Sequence, residues 1–239
     1  MRGWSVLLLV CGCSFEHGIS VDTRDADADA SASALADAAP LPCSTRFVWT
    51  ADFTVDPTTL NNNAGPEPDW RLRDGGALPG ALADGVWAIA DSPPVALETQ
   101  PKTDFNRLTR ATARLRNTSP AGSRGVVFGL NADYSPMTYM PLYLEVRLAA
   151  DTLTQTATLY GRDTTGEITL ASFPDLATGL LDVMLDIDPA ANQVQVRVGS
   201  ASSTYLYMPI PREMNDDRFA TIAAYSDSEV DEVRVEVCM

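Results

Sequence analysis

The feature of this chain that most restricts its fold is a side-chain period of two. Val126, Phe128 and Leu130, then Leu142, Leu144, Val146 and Leu148, then Val183, Leu185 and Ile187, then Val194, Val196 and Val198 all alternate with polar or small residues. That is the pattern of strands buried on one face. Between these runs lie reversals: Gly75-Gly76, Ser92-Pro93-Pro94, Ala121-Gly122, Asp163 to Gly166, and Asp188-Pro189 with Asn192. Glycine, proline and Asx residues take turn conformations at little cost. No segment after residue 43 carries a long apolar stripe of helical period. Strands in close succession without intervening helices predict an all-β fold, two antiparallel sheets packed as a sandwich. Residues 43–239 are enough for one core, and a single domain is the economical arrangement.

Charge narrows the function classes. The 239 residues hold 17 Lys+Arg against 32 Asp+Glu, a formal charge of −15. Residues 22–42 contribute five Asp and one Arg and residues 1–21 are neutral, so residues 43–239 carry −11. A chain this acidic does not neutralise phosphates, which excludes nucleic acid as a partner. The single histidine, His17, lies outside the predicted domain. Ser-His-Asp and Cys-His chemistry and histidine-rich zinc sites are thereby removed from the folded part.

Residues 1–13 read as a secretory signal: Arg2, a short apolar run from Trp4 to Val10, and a small residue before a cysteine. The run is too short to span a bilayer. Val10-Cys11-Gly12-Cys13 also resembles the lipobox of bacterial lipoproteins, and the resemblance implies that Cys13 receives the lipid. The expected location is the bacterial cell envelope, with membrane contact only through that N-terminal anchor. Residues 14–42 then form a linker. From Asp22 to Pro42 it holds eight alanines and five aspartates but almost no large apolar side chain, so nothing offsets chain entropy and a solvated spacer is expected.

The two ends of residues 43–239 predict a pairing. If Phe47 to Phe53 lies antiparallel to Glu229 to Val235, Phe47 opposite Val235 and Trp49 opposite Val233 give a constant index sum of 282, and the apolar faces coincide. With one residue of slip, the same register brings Cys43 to Cys238 and Asp52 to Asp231. A disulfide between Cys43 and Cys238 is expected, since exported proteins live where such bonds persist. First and last strands as neighbours is a jelly-roll habit.

Phe-Val-Trp-Thr-Ala-Asp-Phe at 47–53, Gly-Val-Val-Phe-Gly-Leu from 125, the strands around Tyr143 and Leu159, Leu-Asp-Val-Met-Leu-Asp-Ile from 181 and Asp-Glu-Val-Arg-Val from 231 together resemble the concanavalin A-like lectin/glucanase superfamily, including laminin G-like jelly rolls. The resemblance spans residues 46–238 and rests on strand order and spacing. It implies two curved antiparallel sheets with a ligand groove on the concave one, and it admits a structural calcium.

Glucanases of that superfamily carry two glutamates and an aspartate alternating on one strand, and no such run exists here. Asp182 and Asp186 share a strand face but stand roughly 13 Å apart, too far for a retaining glycosidase pair, and a solvated outer face explains them. Asp52 and Asp231 are the candidate calcium ligands, against the alternative of a turn cap and a solvated side chain. Tyr134, Tyr139 and Tyr143, with Glu145 and Arg147 on the strand of Tyr143, are the candidate ligand-binding set. Trp70 and Trp87 are assigned to the core, while Tyr205 and Tyr207 are compatible with either face. The expectation is therefore a monomeric, exported, lipid-anchored protein whose β-sandwich binds a glycan or surface polysaccharide without catalysis. The alternatives are a hydrolase with carboxylates dispersed over several strands and a structural or protein-binding envelope component.

Overall fold

The structure, a computed structural model, describes residues 41–61, 67–89, 95–100, 107–118, 124–131, 142–148, 154–163, 166–206, 219–224 and 227–239. Among the described residues fifteen strands are formed: β1 (Arg46–Ala51), β2 (Trp70–Leu72), β3 (Ala81–Ala83), β4 (Val86–Ile89), β5 (Val95–Thr99), β6 (Thr109–Asn117), β7 (Arg124–Asn131), β8 (Leu142–Leu148), β9 (Gln155–Asp163), β10 (Gly166–Leu176), β11 (Leu181–Asp188), β12 (Gln193–Val198), β13 (Ala201–Leu206), β14 (Phe219–Ala224) and β15 (Ser228–Cys238). Two antiparallel sheets result. One runs β10-β9-β8-β7-β14-β5-β2, and the other runs β13-β12-β11-β6-β15-β4-β3 with β1 also on β15. The expected two-sheet β-sandwich is the fold observed.

The alternating residues meet between the sheets. Val126, Phe128, Leu130, Leu159, Leu97 and Ile222 from one sheet pack with Leu115, Val183, Leu185, Val196 and Val235 from the other in one buried core. Trp49, Trp70 and Trp87 are wholly buried there. Each indole N–H still donates to a carbonyl, Trp49 to Gln100, Trp70 to Thr50 and Trp87 to Pro79. The first two bonds run between β1 and the β2–β5 edge of the opposite sheet, so the aromatic core also stitches the layers. A buried N–H without such a partner would cost about 1–3 kcal/mol.

Strand β15 accepts three neighbours. β6 pairs along nearly its whole length, while β4 takes residues 228–230 and β1 takes residues 233–238 on the other side. A bulge between Asp231 and Val233 separates the two segments. The first and last strands are thus paired as expected, but in a different register. Phe47 faces Val237, Trp49 faces Val235 and Ala51 faces Val233, an index sum of 284 rather than 282. A slip of two keeps the same side chains inward, so matching apolar faces could not distinguish the registers.

The disulfide is formed all the same, Cys43 to Cys238 with an S–S distance of 2.08 Å and a Cα–Cα distance of 5.8 Å. The chain folds back before β1, where Cys43 N–H donates to Leu41 and Met239 N–H to Thr45.

The turns follow their residue chemistry. Gly75 and Gly76 take positive φ, as does Asn192, and Asp188 accepts hydrogen bonds from the amides of Ala190 and Ala191. Gly125 is required for a different reason. A Cβ there would lie 2.2 Å from Cγ of the buried Asn117. Ser228 and Glu229 open β15, where Ser228 is buried and donates to the Gly125 carbonyl.

Two outcomes follow for stability. Cys43→Ser with Cys238→Ser, or reduction of the native protein, should lower the unfolding free energy by about 5 kcal/mol, the chain-entropy value for a loop of this length, read from urea unfolding with and without reductant. Gly125→Ala should destabilise by about 1–3 kcal/mol through overpacking against Asn117, with a fall in melting temperature.

Candidate functional site

Strand β8 carries three of the five predicted ligand-binding residues, Tyr143, Glu145 and Arg147, and its register fixes their face. Leu144 pairs with Phe128 and Leu159, and Val146 with Val126 and Ala157, all in the interior rows. Tyr143, Glu145 and Arg147 therefore belong to the rows on the outer face of the seven-stranded sheet. Tyr143 lies in a row that crosses seven strands: Arg71, Glu98, Thr221, Gly129, Tyr143, Tyr160 and Thr169. Glu145 lies in the next row, with Ala96, Ala223, Val127, Thr158 and Ser172. Arg147 lies beyond it, between Arg124 and Thr156.

This face has a closed half and an open half. Over β5, β14 and β7, the side chains of Ala96, Ala223 and Val127 form a small buried cluster against which Tyr160 packs. Glu98 is 1% exposed and Thr221 is fully buried. Over β9 and β10, Thr156, Thr158 and Tyr160 are half-buried and Thr169 and Ser172 exposed. A ligand approaching this sheet meets the second half.

The closed half is electrostatically built. Glu98 Oε2 accepts from Arg71 Nε and Nη2 at 3.3 and 3.2 Å, and its Oε1 meets Arg73 Nη2. The Arg73 side chain is 6% exposed and that of Arg71 is 41% exposed. Two guanidiniums thus share one buried carboxylate, with one of them reaching the surface. Beside Glu98, the Thr221 hydroxyl has no hydrogen-bond partner among the described residues, an arrangement that costs on the order of 1–3 kcal/mol.

The other predicted residues are placed as follows. Tyr134, Tyr139 and Tyr207 lie outside the described residues, as do Cys13 and the whole of 1–40. Asp52 stands just beyond the last β1 pair, and its Oδ1 accepts from Thr54 N and Oγ1 at 3.1 and 2.8 Å. Those bonds, the hydroxyl first, hold its carboxyl below the usual aspartate range. Asp231 Oδ2 accepts from Arg114 Nη1 at 2.7 Å, and its Oδ1 from the Glu232 amide. Each carboxylate is engaged by partners of its own. Among the described residues no group of three or more acidic, cysteine or histidine side chains could hold a metal. Thr54 engages the Asp52 carboxylate and Arg114 that of Asp231. Asp182 and Asp186 do lie on an outer face, that of the eight-stranded sheet, but paired with Arg114 and Arg110 rather than simply solvated. Tyr205 is half-buried against the core and its hydroxyl meets Ser203 at 2.6 Å.

Arg71, Glu98, Arg73, Tyr160 and Thr221 went unnoticed in the sequence. Tyr160 had a usable signal, because it stands between the inward Leu159 and Gly161 directly across the hairpin from Tyr143. Glu98 had none. Its strand reads Val95-Ala-Leu-Glu-Thr, and only the pairing with β2 brings two arginines to it.

Comparison with known proteins places the fold. No protein-family model and no curated protein matches the chain. Solved structures do. The carbohydrate recognition domain of Emp47p superposes with a TM-score of 0.55 at 13% identity, over 80% of this chain and 96% of that one. The CBM2 module of the evolved Dit of Lactobacillus casei BL23 phage J-1 gives 0.53 at 11%, over the same shares. The Ca2+-bound exoplasmic/lumenal domain of VIP36 gives 0.51 at 9%, over 80% and 90%. The protein has the concanavalin A-like jelly-roll fold of these lectin domains.

Replacing the shared carboxylate, Glu98→Gln, should cost about 3–5 kcal/mol, because the buried Arg73 guanidinium loses the carboxylate it meets; urea unfolding reads the loss. At Asp52 the lowered carboxyl value means stability that is present above the ordinary value of 3.8 and lost as pH falls through the folded-state value. The gap in melting temperature between the protein and Asp52→Ala should therefore be open at neutral pH and close in strong acid.

Proposed function

We propose that this protein is a non-catalytic glycan-binding module held at a bacterial cell surface. The observation that carries it is the outer face of the seven-stranded sheet. There Thr156, Thr158 and Tyr160 are half-buried on the side beside the Arg71–Glu98–Arg73 cluster, and Tyr143 and Arg147 pair in register with Tyr160 and Thr156. Tyrosine rings offer an apolar platform with a polar tip, and hydroxyls and a guanidinium complete the set that orients a sugar. The Emp47p domain that shares the fold is a carbohydrate recognition domain by its description, which supports the same class of ligand here. The calcium named for VIP36 is not carried over, because the described residues offer no matching donor set.

Hydrolysis is the weaker reading. Glu98 and Glu145 are the carboxylates in the two central rows of this face. They stand three strands apart, about 15 Å with the row offset, against the roughly 5–10 Å that a glycosidase pair needs.

Export and anchoring complete the proposal. The signal of residues 1–13, lipidation at Cys13, the spacer 14–42 and a monomeric domain from 43 to 239 form one coherent design. The disulfide supports it, since such bonds persist outside the reducing cytosol.

A broad glycan array probed with the purified full-length protein tests the binding. At least one glycan should bind, and Tyr143→Ala or Tyr160→Ala should weaken it by about tenfold, close to 1.4 kcal/mol. Unchanged binding in both variants would remove the proposed site. For the anchor, feeding cells a clickable fatty acid should label the protein, and Cys13→Ser should abolish the label and release the protein from membranes.

A further inference from the structure

Strand β10 borders the open half of the seven-stranded sheet, and it is not a regular strand. Phe173 pairs with Ala157 and Leu176 with Gln155, so Pro174 and Asp175 together stand opposite the single residue Thr156. Phe173 is buried and Leu176 packs against the same core. Both flanking side chains therefore face inward, and the inserted residue adds a second outward position between them. Pro174 and Asp175 are both exposed. Without the bulge, regular alternation would turn residue 175 toward the core, and re-aiming a side chain in this way is what bulges beside binding sites do. Asp175 takes φ 56°, a left-handed conformation that aspartate adopts more readily than most residues.

The backbone beyond the bulge is fixed from inside the sandwich. Gln155 is wholly buried, and its Nε2 donates to the carbonyls of Ala177 and Gly179 at 2.6 and 2.8 Å. Its Oε1 accepts from the Asn117 amide of the other sheet at 2.7 Å. The Asp175 carboxylate, by contrast, has no hydrogen-bond or ion-pair partner among the described residues. Acids on the outer faces are otherwise answered: Asp182, Asp186, Glu229, Asp231, Glu236 and Glu98 each meet an arginine. Along the same face Ser172 pairs with Thr158 and Thr169 with Tyr160. From Thr156 to Tyr160 the strand covers roughly 13 Å, longer than one sugar ring.

We propose that Asp175 selects the ligand at this face, and that the ligand is a neutral oligosaccharide or polysaccharide with adjacent free hydroxyls. The inference rests on the glycan-binding reading above and adds the class of glycan and the residue that chooses it. An ionised carboxylate only accepts hydrogen bonds, and its two oxygens take one from each of two neighbouring hydroxyls. Bonds to a charged acceptor are the stronger kind. The same charge, on a domain of net −11, repels uronate and sulfate groups. The hydroxyls of Thr158, Ser172 and Thr169 lie along the span, and the half-buried ring of Tyr160 stands at its far end for an apolar sugar face.

The test begins with the full-length protein on a broad glycan array, where neutral glycans should bind and their uronate-containing or sulfated counterparts should not. Calorimetry with the best-binding neutral glycan then reads the residue. Asp175→Asn keeps the shape and suits the left-handed backbone, so it should weaken binding by about tenfold or more without moving the melting temperature. Asp175→Gly, which also suits that backbone, should weaken it as much. Asp84→Asn is the control: this exposed aspartate has φ 53° in the β3–β4 hairpin of the other sheet, and its replacement should leave binding unchanged. Periodate cleavage of the adjacent hydroxyls of the glycan, followed by borohydride reduction, should abolish binding. Anionic glycans leading the array, full affinity in both Asp175 variants, or binding that survives periodate would overturn this assignment and leave glycan binding standing. No bound glycan on the array would overturn both.

Discussion

Strand β15 is the constraint on which the rest of the architecture depends. Its inner side chains Val230, Val233, Val235 and Val237 are buried against the opposite sheet. Its two edges hold β6 on one side and β4 followed by β1 on the other. It can serve two strands on one edge because it is eleven residues long and bulged at its centre, where Asp231 gives way to Val233. The pairing that closes the domain joins residue 46 to residue 238, so the loop entropy of almost the whole domain is lost in making it. The disulfide from Cys238 of that pair to Cys43 limits the same entropy in the unfolded chain.

With the core closed in this way, the two outer faces diverge in character. The eight-stranded sheet neutralises itself through cross-strand ion pairs, Arg110 with Asp186 and Arg114 with Asp182 and Asp231. Such half-exposed pairs add modestly to stability and leave little unspent charge. The seven-stranded sheet is uneven. A buried arginine–glutamate cluster and a dry patch of Ala96, Val127 and Ala223 occupy one half, and half-buried hydroxyls and a tyrosine the other. The proposed glycan site lies on that second half, where Thr156, Thr158 and Tyr160 are half-buried and Thr169 and Ser172 exposed.

Much of the fold was legible in the residues. Alternation placed the strands at 126–130, 142–148, 183–187 and 194–198, and each is a strand in the structure. The cysteines at the domain ends were bonded as expected, although the strands beside them slipped by two. The slip was invisible because a period-two pattern is unchanged by an even shift, and the fold-back at residues 41–45 let the cysteines meet anyway. The site was legible in part. Tyr143, Glu145 and Arg147 fall on one outer face as their spacing required, whereas Glu98 and its two arginines could not be found from spacing at all.

What the sequence determined by itself is everything that depends on neighbours along the chain: which residues form strands, which side of each strand is apolar, where turns fall, and how acidic the domain is. Only the tertiary structure decided what lies across the strands. It set Arg124 against Arg147 and Tyr143 against Tyr160 in register, brought Arg114 to Asp231, and drew Arg71 and Arg73 onto Glu98. The reason is physical. Side-chain alternation is a local property of an extended backbone, while register and strand order are fixed by the sum of many long-range pairings that no single segment encodes.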